Sequence, residues 1–166
     1  MASTDIADHL GHTSVAQPLL FAIQVAAVRS LAGYGLEPAM VMGHSVGEIA
    51  AAHVAGALSL EDSVKIVHFR SLRQELAAGT GGMAVVFGSA ETCEALIAEI
   101  PGLELAARNS SMCFTLAGPP AALEELPIVA TAKGARTRIL DLAYPFHTSL
   151  MNAAEKPLAV DLDVRS

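Results

Sequence analysis

The run Met42-Gly43-His44-Ser45-Val46-Gly47-Glu48 constrains this chain more than any other stretch. It is a G-x-S-x-G element set between a short apolar segment, Ala39 to Met42, and a helical pattern from Glu48 to about Ala55. In that setting it predicts a buried strand that turns sharply into a helix, with the serine pushed out of the backbone at the turn. Gly43 and Gly47 fit this reading because side chains would clash across so tight a turn. At ordinary Gly and Ser usage the bare pattern arises by chance in about one chain in twenty of this length. The flanks therefore decide whether it carries meaning.

Upstream, residues 1–13 read as polar and loose. Ser14 with Gln17 three residues on has the form of a capping box, and Pro18 falls early enough in the helix to be tolerated. That helix is expected to run to about Ala32 and stop at Gly33-Tyr34-Gly35. Downstream, Ser59-Leu60-Glu61-Asp62 opens another helix. It is expected to turn Val64, Ile66, Val67, Phe69, Leu72 and Leu76 toward a core. Gly79-Thr80-Gly81-Gly82 then marks a change of pattern. Strand 83–87, helix 91–100, strands 103–108 and 113–117, helix 121–133 and strand 135–140 follow. That βαββαβ order is the ferredoxin-like arrangement. Pro127 is expected to break its second helix. A helix from about Ser149 follows the segment 141–148.

With 166 residues, 52% of them apolar, there is material for one domain or one domain with a small insert. The net charge of −7 argues against nucleic acid as the main partner. Cys93 and Cys113 lie in no metal-ligand or C-x-x-C spacing and read as ordinary thiols of a reducing cytoplasm. The N-terminal residues have no basic segment followed by an apolar one, so they do not read as a signal peptide. Leu19 to Leu31 is apolar but interrupted by Gln24 and Arg29, and is too short to span a bilayer. The expected site is therefore cytoplasmic, with no membrane partner and no metal.

A serine alcohol is a weak nucleophile near neutral pH and needs a base within hydrogen-bond reach. It also needs amide donors for the oxyanion that forms when it attacks a carbonyl. The elbow can supply one, the N–H of Val46. The base must come from six histidines. His9 and His12 lie in the loose N-terminus, and His44 adjoins Ser45 but points elsewhere in so tight a turn. His53 and His68 sit at helical positions. His147 sits on a loop after a strand, and on the residues alone it has only a modest edge over the others.

Several separated stretches carry a resemblance. Gln17-Pro18-Leu19-Leu20-Phe21-Ala22, the elbow through Ala51, Ala55 to Asp62, Gly81-Gly82-Met83-Ala84, Asn109-Ser110 and Tyr144-Pro145-Phe146-His147 resemble the acyltransferase domain of type I modular polyketide synthases. The same stretches are similar to malonyl-CoA:acyl-carrier-protein transacylases. The match runs from about residue 13 to 162, with the motifs in order. The resemblance implies an α/β-hydrolase-like parallel-sheet core, here incomplete, with the ferredoxin-like subdomain inserted. The implied layout is residues 1–78 for the partial core with its elbow, 79–141 for the insert, and 142–166 for the return to the core.

It also implies chemistry. Ser45 takes an acyl group from coenzyme A and passes it to the phosphopantetheine thiol of an acyl carrier protein, with His147 as general base and then general acid. No cofactor stays bound. Arg70, twenty-five residues after Ser45, matches the arginine that pairs with the malonyl carboxylate. A planar guanidinium suits that task because it grips a carboxylate with two parallel hydrogen bonds and keeps its charge. His44, Phe146 and Asn109 fall at substrate-contacting positions, though Asn109 also reads as a strand-end hydrogen-bonding residue. Asp141 is not required, because the family works with a Ser-His pair. Val46 and Phe146 match the malonyl-selective pattern, with Phe146 filling the space an α-methyl needs; Tyr144-Pro145 departs from the commoner motif. The implied partners are malonyl-CoA, an acyl carrier protein, and the ketosynthase and other domains of a synthase.

The family's G-Q-G-S-Q loop and its C-terminal portion find no match here, so the chain reads as a central fragment with exposed sheet edges and apolar surface, and with impaired activity. Two rivals remain at this stage. One is an α/β-hydrolase-type serine esterase using Ser45, an acid and His147. The other is a non-catalytic remnant of an acyltransferase domain.

Overall fold

The computed structural model describes residues 9–163; the expectation that the N-terminus is loose falls largely outside them. The chain forms two compact units, Met1–Glu75 with Lys156–Ser166, and Leu76–Glu155. Residues 142–155, expected to rejoin the core, belong to the second unit.

The first unit is helical. Helix α1 (Thr13–Ala32), α2 (Gly47–Val54), α3 (Leu60–Gln74) and α6 (Glu155–Asp161) make it up, α6 beginning one residue ahead of the boundary. Thr13, Gln17, Phe21 and Val25 form the buried stripe of α1. Their four-residue spacing meets a matching stripe on α3, Ser63, Val67 and Ser71, as ridges packed into grooves. The two serines are 0% and 1% exposed, whereas Val64, Leu72 and Leu76 are 49%, 41% and 53% exposed. The inward face expected for α3 holds for Val67 and in part for Ile66, and is corrected for Val64, Leu72 and Leu76. The two small serines let α1 approach closely on either side of Val67, while Leu72 stays exposed. Each serine hydroxyl returns a hydrogen bond to its own helix, Ser63 to Ser59 O and Ser71 to His68 O, so burial leaves neither unsatisfied.

The capping box expected at Ser14 is also corrected. His12 is the N-cap of α1 and caps with no side chain. Ser14 lies inside the helix, where its N–H and hydroxyl both donate to the Glu75 carboxylate. Gln17 turns away toward α3. At the far end, Gly35 at φ +75° takes the left-handed position, and the Leu36 N–H returns to Leu31 O at 3.1 Å, closing the helix in a Schellman motif. Ser59 caps α3 as expected, its Oγ accepting from the Asp62 N–H at 3.0 Å.

By length and hydropathy, 1.5 over its apolar window, α1 could cross a membrane. The side-chain hydrogen bonds that Gln17 makes to Gln74 of α3 and Ser14 to Glu75 just after it fit a helix docked on its neighbour within this unit.

Ala39–Met42 is not a strand. It forms no regular element and is largely exposed, with Met40 at 88% and Met42 at 94%. A strand is defined by its ladder partners, and among the described residues of this unit there is no strand to offer them. The parallel sheet expected for the core is accordingly absent among the described residues, and the exposed methionines are the apolar surface that this leaves.

The second unit is a four-stranded antiparallel sheet backed by two helices. Its order of elements is β1 (Gly82–Phe87), α4 (Ala90–Glu99), β2 (Glu104–Arg108), β3 (Cys113–Gly118), α5 (Pro120–Ala132) and β4 (Arg136–Ile139). The strands lie in the order β2-β3-β1-β4, which is the ferredoxin-like topology, so the mixed α/β fold read from the sequence holds. Ala84, Val86, Phe114 and Leu116 face Leu96, Ile100, Leu123 and Leu126 in one core. Pro127 does not break α5, which continues to Ala132. An interior proline costs about 3 kcal/mol. Burial of Leu123 and Leu126 on the same helix returns about 1.5–3 kcal/mol for each, enough to hold the helix through it.

Candidate active site

The site builds outward from the turn between the Ala39–Met42 segment and α2. Hydrogen bonds from Gly47 N to His44 O and from Glu48 N to Ser45 O, both 3.0 Å, close it. Ser45 sits at its apex with φ +53°. A non-glycine residue in that region costs of order 1–3 kcal/mol and persists where the surroundings enforce it. Gly43 is one enforcing element. A Cβ there would meet Glu48 N at 2.3 Å and Gly47 C at 2.4 Å, so the two limbs of the turn cross where only hydrogen fits. Gly47 differs from its expectation: a Cβ there would meet nothing nearer than Gln24 Nε2 at 3.7 Å, an ordinary contact. The elbow thus needs its first glycine sterically and not its second. The Val46 N–H lies ahead of the first amide used by the turn, among the donors that a helix start leaves without an internal partner. His44 is exposed on the turn.

Arg70, on α3, reaches this apex. One terminal nitrogen donates to Ser45 Oγ at 3.1 Å and the other to Gln17 Oε1. Gln17 Nε2 in turn donates to Gln74 Oε1 at 2.6 Å and to Thr13 Oγ1. Burial lowers the Arg70 pKa from its ordinary value, against the opposing pull of the Glu48 charge. A guanidinium keeps its charge at neutral pH, so Arg70 is a cation there. The structure therefore unites Ser45, Val46, His44 and Arg70, and it adds Gln17, which the sequence reading took for a cap. The signal was a buried amide on an apolar helix stripe, visible only once the stripe's partner is known.

The remaining expected residues lie in the second unit. Leu140 N donates to Met83 O at 2.9 Å and Gly79 N to Ala143 O at 2.8 Å, tying the loop after β4 to the start of β1. Tyr144 is buried and stacks on the half-buried Phe146, ring centroids 5.2 Å apart. Thr148 Oγ1 donates to Pro145 O at 2.6 Å. Ser149 donates from its N–H at 3.0 Å and from its hydroxyl to the Glu104 carboxylate. Between these ties His147 is exposed, with φ +63°, a second non-glycine residue held in the left-handed region. Asn109 closes the β2–β3 hairpin, its N–H bonded to Cys113 O and its Nδ2 to Thr115 Oγ1, each at 2.9 Å. It therefore has the strand-end role that the sequence allowed. The other histidines have local roles: His53 bonds Leu58 O at 3.1 Å, and His12 lies 3.7 Å from Glu75. A groove of about 810 Å³ between α1 and α3 is lined by Phe21, Val25, Val64 and Val67, among others, and Ser45 is not in its wall.

Ser45 thus stands at a helix start with a positive φ and with an arginine donating to its hydroxyl. The family model for the acyl transferase domain matches residues 4–164, and the chain belongs to that family. It is 41% identical over 150 residues to erythronolide synthase EryA2 of Saccharopolyspora erythraea, covering 90% of this chain and 4% of that protein. Among solved structures, the acyltransferase domain from the second module of the salinomycin polyketide synthase matches with a TM-score of 0.86 at 36% identity, over 93% of this chain and 37% of that one. The malonyl CoA-acyl carrier protein transacylase from Clostridium perfringens matches with a TM-score of 0.87 at 29% identity, over 98% of this chain and 54% of that one. The chain thus spans a small part of the synthase and roughly half or less of these two solved chains.

Proposed function

We propose that the chain carries a Ser45-centred site that moves a malonyl-type acyl group from coenzyme A to the phosphopantetheine thiol of an acyl carrier protein. Ser45 Oγ attacks the thioester carbonyl while His147 takes the hydroxyl proton. The C–S bond then breaks, coenzyme A leaves as the thiol with that proton, and malonyl-Ser45 remains. The carrier thiol next attacks this ester, His147 takes the thiol proton and returns it to Ser45 Oγ, and the malonyl thioester departs on the carrier. The Val46 N–H supports the oxyanion in both halves. Arg70 pairs with the free carboxylate.

The observation that carries this reading is the Arg70 guanidinium bonded to the strained Ser45. A cation beside the nucleophile suits an acyl group that bears a carboxylate and gives a neutral ester no advantage. That disfavours the esterase reading. The partners follow from the synthase relatives: a carrier protein and the other catalytic domains of an assembly line. The test is transfer. The chain, malonyl-CoA and a phosphopantetheinylated carrier protein are mixed, and the carrier is weighed with time. Malonyl-carrier formed by the unaltered chain and lost in His147→Ala supports the reading. Hydrolysis of malonyl-CoA with no malonyl-carrier would point to an esterase instead.

A further inference from the structure

We infer that Gln17 is the positioning residue that holds Arg70 fixed yet fully charged, and so sets how strongly the site prefers acyl donors bearing a free carboxylate. The inference rests on the acyl-transfer reading above. Gln17 is 7% exposed, on the α1 stripe packed against α3. An arginine has donors only, so the atom of Gln17 facing Arg70 must be its oxygen. That leaves the amide nitrogen toward Gln74 Oε1 and Thr13 Oγ1, both able to accept. Rotating the amide would set N–H against guanidinium and oxygen against oxygen, so this network has one arrangement.

The arrangement also explains why an amide suits this position better than an acid. A glutamate would meet the guanidinium equally well in shape. It would, however, supply the counter-charge that a substrate carboxylate must supply, and would give Gln74 Oε1 no donor. The neutral amide anchors one arm of Arg70 without satisfying its charge. The other arm rests on Ser45 Oγ at 3.1 Å. An incoming carboxylate takes this second arm and frees the serine oxygen from it, whereas a neutral acyl group leaves the arm in place. Glu48, exposed on α2, already acts on Arg70 through space, but it is not among the hydrogen-bond partners that fix the guanidinium.

The experiment follows Ser45 acylation of the whole chain by intact mass, with malonyl-CoA and acetyl-CoA in parallel. The chains compared are unaltered, Gln17→Glu and Gln17→Met. Circular dichroism confirms folding, and the nearly isosteric Gln17→Met decides alone if Gln17→Glu does not fold. In Gln17→Glu the malonyl-to-acetyl rate ratio is expected to fall about tenfold or more. In Gln17→Met the KM for malonyl-CoA should rise more than that for acetyl-CoA. An unchanged ratio in folded variants, or an equal loss toward both donors, would overturn the assignment, the second outcome marking Gln17 as merely structural. No malonyl adduct on the unaltered chain would overturn the acyl-transfer reading itself, and this assignment with it. An adduct with an unchanged ratio overturns the assignment alone.

Discussion

Replacing Gly43 by alanine should damage the elbow, whereas the same change at Gly47 should not. At Gly43 the added carbon would sit 2.3 Å from Glu48 N and 2.4 Å from both Glu48 Cα and Gly47 C. Carbon contacts settle at about 3.5–4.0 Å, so the limbs of the turn must part by about 1 Å. All three atoms are backbone and cannot rotate aside. Forced overpacking of this kind costs about 1–3 kcal/mol, occasionally more. In a unit of this size each kcal/mol moves Tm by roughly 4–8 °C, so Gly43→Ala should melt some 5–20 °C lower. A displacement of about 1 Å at the nucleophile also costs on the order of a hundredfold in rate. Thermal melts by circular dichroism would be run beside the rate of Ser45 labelling by a neutral fluorophosphonate, which needs an intact elbow but no carboxylate contact. Gly47→Ala, whose Cβ meets nothing nearer than 3.7 Å, should match the unaltered chain in both. Equal melting and labelling of Gly43→Ala and Gly47→Ala would refute the steric account of the turn.

Other perturbations have definite directions. Arg70→Ala should lose about 1.5–3 kcal/mol of charge-assisted contact, read as roughly a 10- to 150-fold fall in malonyl kcat/KM with neutral donors little affected. Ser71→Leu should destabilise the α1–α3 contact by about 1–3 kcal/mol, whereas Ser71→Ala should melt close to the unaltered chain. Pro127→Ala should raise the stability of the second unit by about 1–3 kcal/mol, because the lost α5 hydrogen bond returns. Arg73 bonds the Asp161 carboxylate at 2.5 and 3.0 Å and holds its pKa below the usual range. The folded form therefore binds that proton less readily than the unfolded chain. The pair stabilises the fold above about pH 4, near the ordinary aspartate value, and its contribution fades as pH falls through the depressed folded value. Asp161→Asn should accordingly lower Tm at pH 7, less so in high salt, and the difference should vanish in acid.

Much of the second unit was legible because each of its elements is complete within a short stretch. Short apolar runs at Met83–Phe87 and Cys113–Ala117, with helical runs beside them, fix local structure, and the βαββαβ order admits few topologies. The first unit was harder to read because its defining contacts are between helices. Serines 63 and 71 look like surface residues until α1 lies on them, and Leu72 looks like core until it does not. Ser14 and Gln17 have the spacing of a cap, but Glu75 and Arg70, distant in sequence, offer them stronger partners. Ala39–Met42 has strand composition, yet composition cannot supply a ladder partner. Of the site, Ser45 and its turn were legible locally. Arg70 came from resemblance, and its bond to Ser45 required the helix packing to be known.

The most direct test of the central claim is the intact mass of the purified chain after mixing with malonyl-CoA, with Ser45→Ala alongside. The account predicts a single malonyl adduct that is absent from Ser45→Ala and released when a phosphopantetheine thiol is added. A malonyl adduct that persists in Ser45→Ala, or a folded unaltered chain that never acquires one, would contradict it.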